Sequence, residues 1–144
     1  ILGAIVGVLY LRKKHKELPI LKCFDIIVPT LLIAQAIGRW GNYLNKEAHG
    51  GPTDLPWGIM VDGVKVHPTF LYESIWDLGV FIFLMVFRKK QKYEGQILVY
   101  YITLYSIGRF FIEGLRTDSL MLGNLRIARA ISIILFLSFY FILF

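Results

Sequence analysis

Residues 36–51 read "AIGRWGNYLNKEAHGG" and end a long apolar run that begins at Ile26. Only two polar residues interrupt that run before Ile37, so the pattern predicts a helix buried in protein or lipid. Directly after it the chain places a guanidinium, two amides and a carboxylate, at Arg39, Asn42, Asn45 and Glu47. Polar groups at the end of so apolar a helix indicate a functional site there.

The composition indicates a membrane protein. Of 144 residues, 56% are hydrophobic and 18% are charged, and the mean hydropathy is +0.60. The surface of a water-soluble domain needs more charge than this. We therefore expect an all-α, polytopic membrane protein.

Apolar segments mark the expected spans, the first of them partial: 1–11, about 22–44, 69–87, 96–115 and 127–144. A crossing helix needs roughly 20 apolar residues, and backbone groups in lipid must be satisfied within a helix. The prediction is a single transmembrane domain over residues 1–144, with about four to five transmembrane helices. Both ends are apolar, so we also expect this domain to be truncated at its amino-terminal end.

Two basic clusters, "RKKHK" (12–16) and "RKKQK" (88–92), orient these spans. Such clusters beside apolar segments are typical of cytoplasmic loops that contact anionic lipid. The formal net charge of +6 therefore does not indicate a nucleic-acid partner. With both clusters inside, residues 45–68 and 116–126 lie outside. The outward-facing loop 45–68 contains "DG" (62–63) between apolar residues, which predicts a small hairpin or an interfacial flap.

This topology brings three unusual stretches to the same side of the membrane. They are "GRWGNYLNKE" (38–47), "HPTFLYE" (67–73) and "GRFFIEGLR" (108–116). Each lies at the outer end of a span, so their polar side chains share one depth. A transport pathway would spread charge through the bilayer, whereas charge at one boundary favours chemistry on lipid headgroups.

The third stretch places Arg109, Glu113 and Arg116 at i, i+4 and i+7, on one stripe of a helix. Two arginines against one carboxylate leave a surplus positive charge, which is unfavourable inside a membrane. A bound anion would balance it, and Arg39 of the neighbouring span would add another guanidinium. Because a guanidinium can bind two oxygens of one phosphate at once, the expected anion is a phospholipid headgroup. An internal ion pair, or snorkelling for Arg116, would explain the same residues.

Small residues predict close helix packing around these arginines. Gly38 and Gly41, with Ala34, leave one face of the second span with little side-chain bulk. Gly108 has the same effect on the fourth span. Close packing at these positions would bring the arginines of both helices towards a shared cavity.

Other polar residues near the site have two interpretations each. Tyr105 lies one turn before Arg109 and either donates to a phosphate or belongs to an interfacial aromatic belt. His49 and His67 are either bases or hydrogen-bonding loop residues. The pair 72–73, a tyrosine and a glutamate, either binds a ligand hydroxyl or satisfies the second helix.

The stretch 38–50 resembles the signature of the bacterial prolipoprotein diacylglyceryl transferases. That pattern is Gly-Arg-x-Gly-Asn-aromatic-x-Asn-x-Glu-x-x-Gly, and "GRWGNYLNKEAHG" meets every fixed position. "HPTFLYE" and "GRFFIEGLRTD" resemble two further blocks of that family, in the same order. The likeness covers essentially the whole chain.

The resemblance implies transfer of a diacylglyceryl group from phosphatidylglycerol to the lipobox cysteine thiol of a prolipoprotein, the first step of bacterial lipoprotein maturation. The protein would be a multi-pass protein of the bacterial cytoplasmic membrane, with its active site towards the outer leaflet. Expected partners are phosphatidylglycerol, the lipobox peptide and the bilayer. No cofactor is expected, because the leaving group is already a phosphate. No metal is expected either, because no histidine pair has ligand spacing and Cys23 is the only cysteine.

Residue pattern and resemblance together give a set of candidate site residues. The candidates for catalysis are Arg39, Arg109 and Glu47. The candidates for substrate binding are Arg39, Asn42, Asn45, Gly50, Tyr105, Arg109, Glu113 and Arg116. Arg39 and Arg109 would grip the phosphate while the carbon–oxygen bond breaks. Asn42 and Glu47 would either orient Arg39 or bind the glycerol hydroxyls.

One element of the family pattern is not in this sequence. The family has an essential histidine in a His-Gly-Gly motif upstream of the signature, before the span that begins here at Ile1. The "HGG" at 49–51 belongs to the end of the signature instead. We expect the thiol proton to go to that upstream histidine and the chain by itself to be inactive. The alternative function is a non-catalytic subunit that binds or transports lipids or anions.

Overall fold

A computed structural model describes residues 2–117, 121–122, 125–127, 130–135 and 137. This part of the chain is mostly helical, with helices α1 (Leu2–Lys14), α2 (Ile20–Leu44), α3 (Thr69–Phe87) and α4 (Gln96–Glu113). A 3-10 turn at Arg88–Lys90 extends α3. Two short antiparallel hairpins pair β1 (Ile59–Val61) with β2 (Val64–Val66), and β3 (Met121–Leu122) with β4 (Leu125–Arg126).

Helices α2 and α4 lie parallel to each other and antiparallel to α3. Contacts of α2 with α4 advance together along both helices, from Asp25 with Leu98 to Gln35 with Tyr101. The three helices share a buried core of Val28, Leu32, Val80, Leu84 and Ile97. This packing brings the carboxyl ends of α2 and α4 beside the amino end of α3, where the polar stretches lie.

Asp25 fixes the opposite end of the bundle. Its side chain is 2% exposed and accepts hydrogen bonds from the backbone N–H of Gly95 at 2.7 Å and of Leu98 at 3.0 Å. The side-chain amide of Gln91 donates to the same carboxylate. The first N–H groups of a helix have no partner within it, so a carboxylate from α2 caps α4 and sets its position.

Among the described residues, two helices are long and apolar enough to cross a membrane, Ile20–Leu44 and Thr69–Lys90. The structure therefore confirms a mostly helical chain with two candidate spans. Helix α4 ends at Glu113, two residues before the predicted boundary. The prediction for 127–144 falls mostly outside the described residues. A total of four to five spans, and the orientation in the bilayer, remain predictions.

The predicted hairpin within 45–68 is confirmed. Strands β1 and β2 pair Ile59 with Val66 and Val61 with Val64. The turn residues Asp62 and Gly63 have φ of 49° and 83°. Positive φ at both central residues is typical of the two-residue hairpin turn that "DG" favours.

Candidate active site

The carboxylate of Glu73 joins the two arginines of the site. The Nε atom of Arg39, on α2, contacts one carboxylate oxygen, and Nη1 of Arg109, on α4, donates to the other at 2.8 Å. Glu73 lies on α3 and is 4% exposed. The predicted meeting of guanidinium groups from neighbouring helices is therefore confirmed, around an internal carboxylate.

Each arginine has a further partner. Nη2 of Arg109 donates to Glu113 at 2.6 Å, one turn along α4. Nη2 of Arg39 donates to the hydroxyl of Tyr105 at 3.4 Å. Removing one member of a buried charge pair typically destabilises a protein by about 3–5 kcal/mol, because the other charge is left without compensation. This network therefore holds both guanidinium groups in fixed orientations.

The predicted surplus of positive charge is wrong. The prediction counted Arg109, Arg116 and Glu113, but Glu73 supplies a second carboxylate to the site. Arg116 also does not continue the helical stripe, because α4 ends at Glu113 and Arg116 pairs through its backbone with Gly50. Arg39 and Arg109 are thus paired with carboxylates of the chain itself.

Close packing between α3 and α4 depends on Gly108. A Cβ atom there would lie 2.3 Å from Nε1 of Trp76, whose indole donates to the carbonyl of Leu104 at 3.0 Å. Close packing at Gly108 is therefore confirmed, but its neighbour is a side chain of α3 and not the backbone of α2. The prediction for Gly38 and Gly41 is wrong for the described part of the chain, where an added Cβ at either meets nothing within 4 Å.

Asp77 adds a third carboxylate to this region. It follows Glu73 by one helical turn and is 2% exposed. Its side chain lines a cavity of about 10 Å³ together with Arg39, Tyr105 and Arg109. Among the described residues, Oδ2 of Asp77 has no hydrogen-bond partner.

The second half of the signature lines a separate cavity. Asn42, Glu47 and His49 surround about 250 Å³, with Met60 of the hairpin and Phe70 of α3 on the apolar side. In the part of the chain that the structure describes, no side-chain hydrogen bond joins Asn42 or Glu47 to Arg39. Orientation of Arg39 by either side chain therefore has no support among the described residues, and contact with glycerol hydroxyls remains a prediction.

Asn45 lies at the exposed carboxyl end of α2. Its N–H donates to the carbonyl of Gly41 at 2.9 Å, and the helix ends there. The residues that follow include Lys46 and Ala48 with φ of 55° and 53°. Two non-glycine residues in the left-handed region turn the chain sharply back towards α3.

Gly50 holds this loop against the segment just before α3 and the segment just after α4. Its N–H donates to the carbonyl of His67 at 2.9 Å, and the N–H of Gly51 donates to that of Leu115 at 3.1 Å. A Cβ at Gly50 would lie 2.5 Å from Cβ of His67 and 3.0 Å from the oxygen of Leu115. The glycine required by the signature is therefore explained by backbone packing.

His49 and His67 form hydrogen bonds at the edge of the site. Nδ1 of His67 lies 3.3 Å from the Tyr72 hydroxyl, which also accepts from Trp57 Nε1 at 3.0 Å. Nδ1 of His49 lies 3.1 Å from the carbonyl of Gly50. Within the described ranges, no group of three or more histidine, cysteine, aspartate or glutamate side chains is arranged to hold a metal ion.

Sequence reasoning missed the central position of Glu73 and the presence of Asp77. A signal was available, because "ESIWD" (73–77) puts two carboxylates one turn apart in an otherwise apolar helix. The interpretation that residue 73 satisfies the second helix is the one that the structure bears out, through Arg39.

Comparison with known proteins identifies the family. All of residues 1–144 match the family model described as prolipoprotein diacylglyceryl transferase. Curated relatives named phosphatidylglycerol–prolipoprotein diacylglyceryl transferase include one from Clostridioides difficile (strain 630), 68% identical over 134 residues, which are 92% of this chain and 54% of the relative. One from Finegoldia magna is 54% identical over 91% of this chain and 54% of its own length.

A relative of the same name from Clostridium botulinum (strain 657 / Type Ba4) is 47% identical over 97% of this chain and 61% of its own length. The chain therefore spans little more than half the length of these relatives. The family model matches the whole of this chain, in agreement with the three sequence blocks. In the structure, Arg39 of the first block and Arg109 of the third both contact Glu73 of the second. This chain belongs to the prolipoprotein diacylglyceryl transferase family.

Proposed function

We propose that this chain carries the phosphate-binding part of an enzyme that transfers a diacylglyceryl group from phosphatidylglycerol to the lipobox cysteine of prolipoproteins. The observation that carries the proposal is the meeting of Arg39 and Arg109 on one carboxylate. Two guanidinium groups held that close together can also bind two oxygens of one phosphate. Membership of the family supports the choice of reaction.

The proposed reaction is a substitution at carbon. The cysteine sulfur forms a bond to the diacylglycerol carbon that bears the phosphate, and the bond from that carbon to the phosphate oxygen breaks. The electron pair stays on the phosphate oxygen, so a singly charged diester becomes a glycerol phosphate with more negative charge. Fixed guanidinium groups stabilise that developing charge in the transition state. The thiol must lose its proton to a base, and we assign no residue of this chain to that step.

Donor groups remain available for a phosphate in this arrangement. A guanidinium has five N–H donors, and the contacts with carboxylates and Tyr105 use only some of those on Arg39 and Arg109. The side chains of these arginines are 21% and 17% exposed. A phosphate therefore either binds the remaining donors or takes the place of Glu73 between the two arginines.

The other candidate residues fit supporting roles. Glu113 orients Arg109, and Tyr105 both orients Arg39 and offers a hydroxyl near the phosphate position. In the separate cavity, Asn42 and Glu47 offer polar groups to the glycerol hydroxyls. The remaining candidates shape the site boundary, Asn45 by ending α2 and Gly50 with Arg116 by joining the signature loop to the segment after α4.

The proposed location is the bacterial cytoplasmic membrane, in several passes. The basic segments 12–16 and 88–92 lie towards one end of the helical bundle, and the arginine network lies towards the other. If the basic segments face the cytoplasm, the network faces the outer leaflet, where lipid and peptide would meet. The proposed reaction needs neither a metal nor an organic cofactor.

A chimera provides the direct test. The matching region of the Clostridioides difficile relative is replaced by the residues of this chain that align with it, and the purified chimera is incubated with labelled phosphatidylglycerol and a lipobox peptide. We expect label on the peptide thiol and release of glycerol phosphate. A chimera that binds the lipid in the membrane fraction but leaves the peptide unlabelled would support the non-catalytic alternative and refute the proposed function.

A further inference from the structure

Asp77 is a buried carboxylate for which the proposed reaction has no use. It is 2% exposed, and no described residue donates a hydrogen bond to its Oδ2 atom. Buried polar groups are nearly always hydrogen-bonded, and an unpaired carboxylate in a low-dielectric interior is strongly unfavourable. A side chain kept in this state within the arginine site calls for a functional reason.

The surroundings of Asp77 include both arginines. Across the cavity of about 10 Å³ lie Arg39 from α2 and Tyr105 and Arg109 from α4, and Glu73 lies one turn away on α3 itself. That volume is about the size of one water molecule. A phosphate group cannot enter between the arginines while the Glu73 carboxylate is there.

Displacement of Glu73 would affect the two arginines differently. Arg109 keeps a second carboxylate, Glu113, at 2.6 Å. Arg39 keeps only the neutral hydroxyl of Tyr105, at 3.4 Å, among its described partners. In that state the phosphate would be the anion on one side of the Arg39 guanidinium, and Asp77 is a carboxylate on the same wall of the cavity that can hold its other side.

We propose that Asp77 is a positioning residue that receives the Arg39 guanidinium when the phosphate of the lipid takes the place of the Glu73 carboxylate. This inference rests on the proposed function and adds a step to lipid binding. The structure pairs Arg39 with Glu73, and in the proposed lipid complex Arg39 is held between Asp77 and the phosphate. The switch is a short movement of one arginine side chain between two carboxylates of α3.

A double-mutant cycle tests the switch in the chimera. The variants are Glu73→Gln, Asp77→Asn and both together, and the readout is affinity for dioleoylphosphatidylglycerol by native mass spectrometry. With Glu73 present, Asp77→Asn should weaken lipid binding at least tenfold. The reason is that Arg39 pairs with Asp77 only in the lipid complex, so the change destabilises the complex and not the free protein. In the Glu73→Gln background Asp77 pairs with Arg39 in both states, so the same change should alter binding less than about threefold.

Controls separate positioning from a structural role. Asp77→Glu should restore affinity to within about threefold of the parent. Ser106→Ala should leave it unchanged, since Ser106 is also 2% exposed with an unpartnered hydroxyl among the described residues, but does not line the arginine cavity. Equal effects of Asp77→Asn in both backgrounds, or no effect in either, would overturn the inference.

Three further outcomes keep the test decisive. If Asp77→Asn does not fold, Glu73→Gln alone still decides: tighter or equal lipid binding supports displacement of Glu73, and tenfold weaker binding overturns it. If the parent chimera binds the lipid but transfers nothing, the proposed function fails while the binding cycle still decides on Asp77. A parent that does not bind the lipid overturns both.

Discussion

Arg39 and Arg109 bind opposite oxygens of the same carboxylate, that of Glu73. The arginines come from α2 and α4, which are parallel, and the carboxylate from α3, which is antiparallel to both. One residue of α3 therefore sets the distance between two guanidinium groups that are far apart in sequence. An arrangement that holds two cations around one anion is suited to an exchange of that anion for a phosphate.

The first prediction concerns the arginines. Arg39→Ala or Arg109→Ala in the chimera should lower kcat/KM for lipid transfer about 100-fold or more, since loss of one fixed donor to a developing oxyanion has effects of that size. Lys89→Ala, which removes an exposed cation of the basic segment, should leave transfer near the parent value. Transfer by either arginine variant within threefold of the parent would contradict the proposed mechanism.

The second prediction uses adjacent glycines of the signature loop. Gly50→Ala should abolish transfer and lower the melting temperature by several degrees, because its Cβ would overlap Cβ of His67 and approach the oxygen of Leu115. Gly51→Ala is the matched control, since its Cβ would lie 3.8 Å from Thr117, an ordinary contact. Thermal unfolding in detergent, followed by circular dichroism, measures both, and equal melting temperatures would show that Gly50 is not required by packing.

The third prediction concerns the contact of α3 with α4. Gly108→Ala should displace the Trp76 indole and move α4 away from Glu73, so transfer should fall at least tenfold. The cause is steric, because a rigid ring lies where the new methyl group would be. Gly79→Ala, on α3 with nothing within 4 Å of the added Cβ among the described residues, should retain transfer. Similar activity of the two variants would show that close approach at Gly108 does not position the arginines.

The sequence allowed some features to be predicted because they depend on local patterns. Apolar length predicts α2 and α3, and "DG" predicts the turn between β1 and β2. The basic segments set the orientation of the spans, and this orientation puts Arg39 and Arg109 at the same depth on the same side. These inferences need only the chain order and the hydropathy of each segment.

The partners of those arginines depend on helix rotation, which a single sequence does not specify. The phase of α3 decides that Glu73 and Asp77 face α2 and α4 rather than lipid. The end of α4 is also set by its surroundings: the backbone of Arg116 pairs with Gly50, so the regular helical stripe stops before it. Tertiary contacts of this kind explain why the predicted charge surplus was wrong.

The last prediction concerns the end of the bundle opposite the arginines. Asp25→Ala removes the carboxylate that caps α4 and leaves the N–H groups of Gly95 and Leu98 without it. Hydrogen bonds to a charged group contribute about 1.5–3 kcal/mol each. Because water partly solvates the freed N–H groups, the free energy of unfolding should fall by roughly 3 kcal/mol. Because Asp25 does not contact the arginine network, kcat/KM of the folded fraction should stay within threefold of the parent.

Denaturant titration in mixed micelles measures that stability change, with Asp54→Ala as the control for loss of an exposed carboxylate. The control should unfold at the same denaturant concentration as the parent. A stability of Asp25→Ala equal to that of the control would show that the cap does not hold α4. A loss of kcat/KM without a loss of stability would instead show that the two ends of the bundle are coupled, since α4 carries both Leu98 and Arg109.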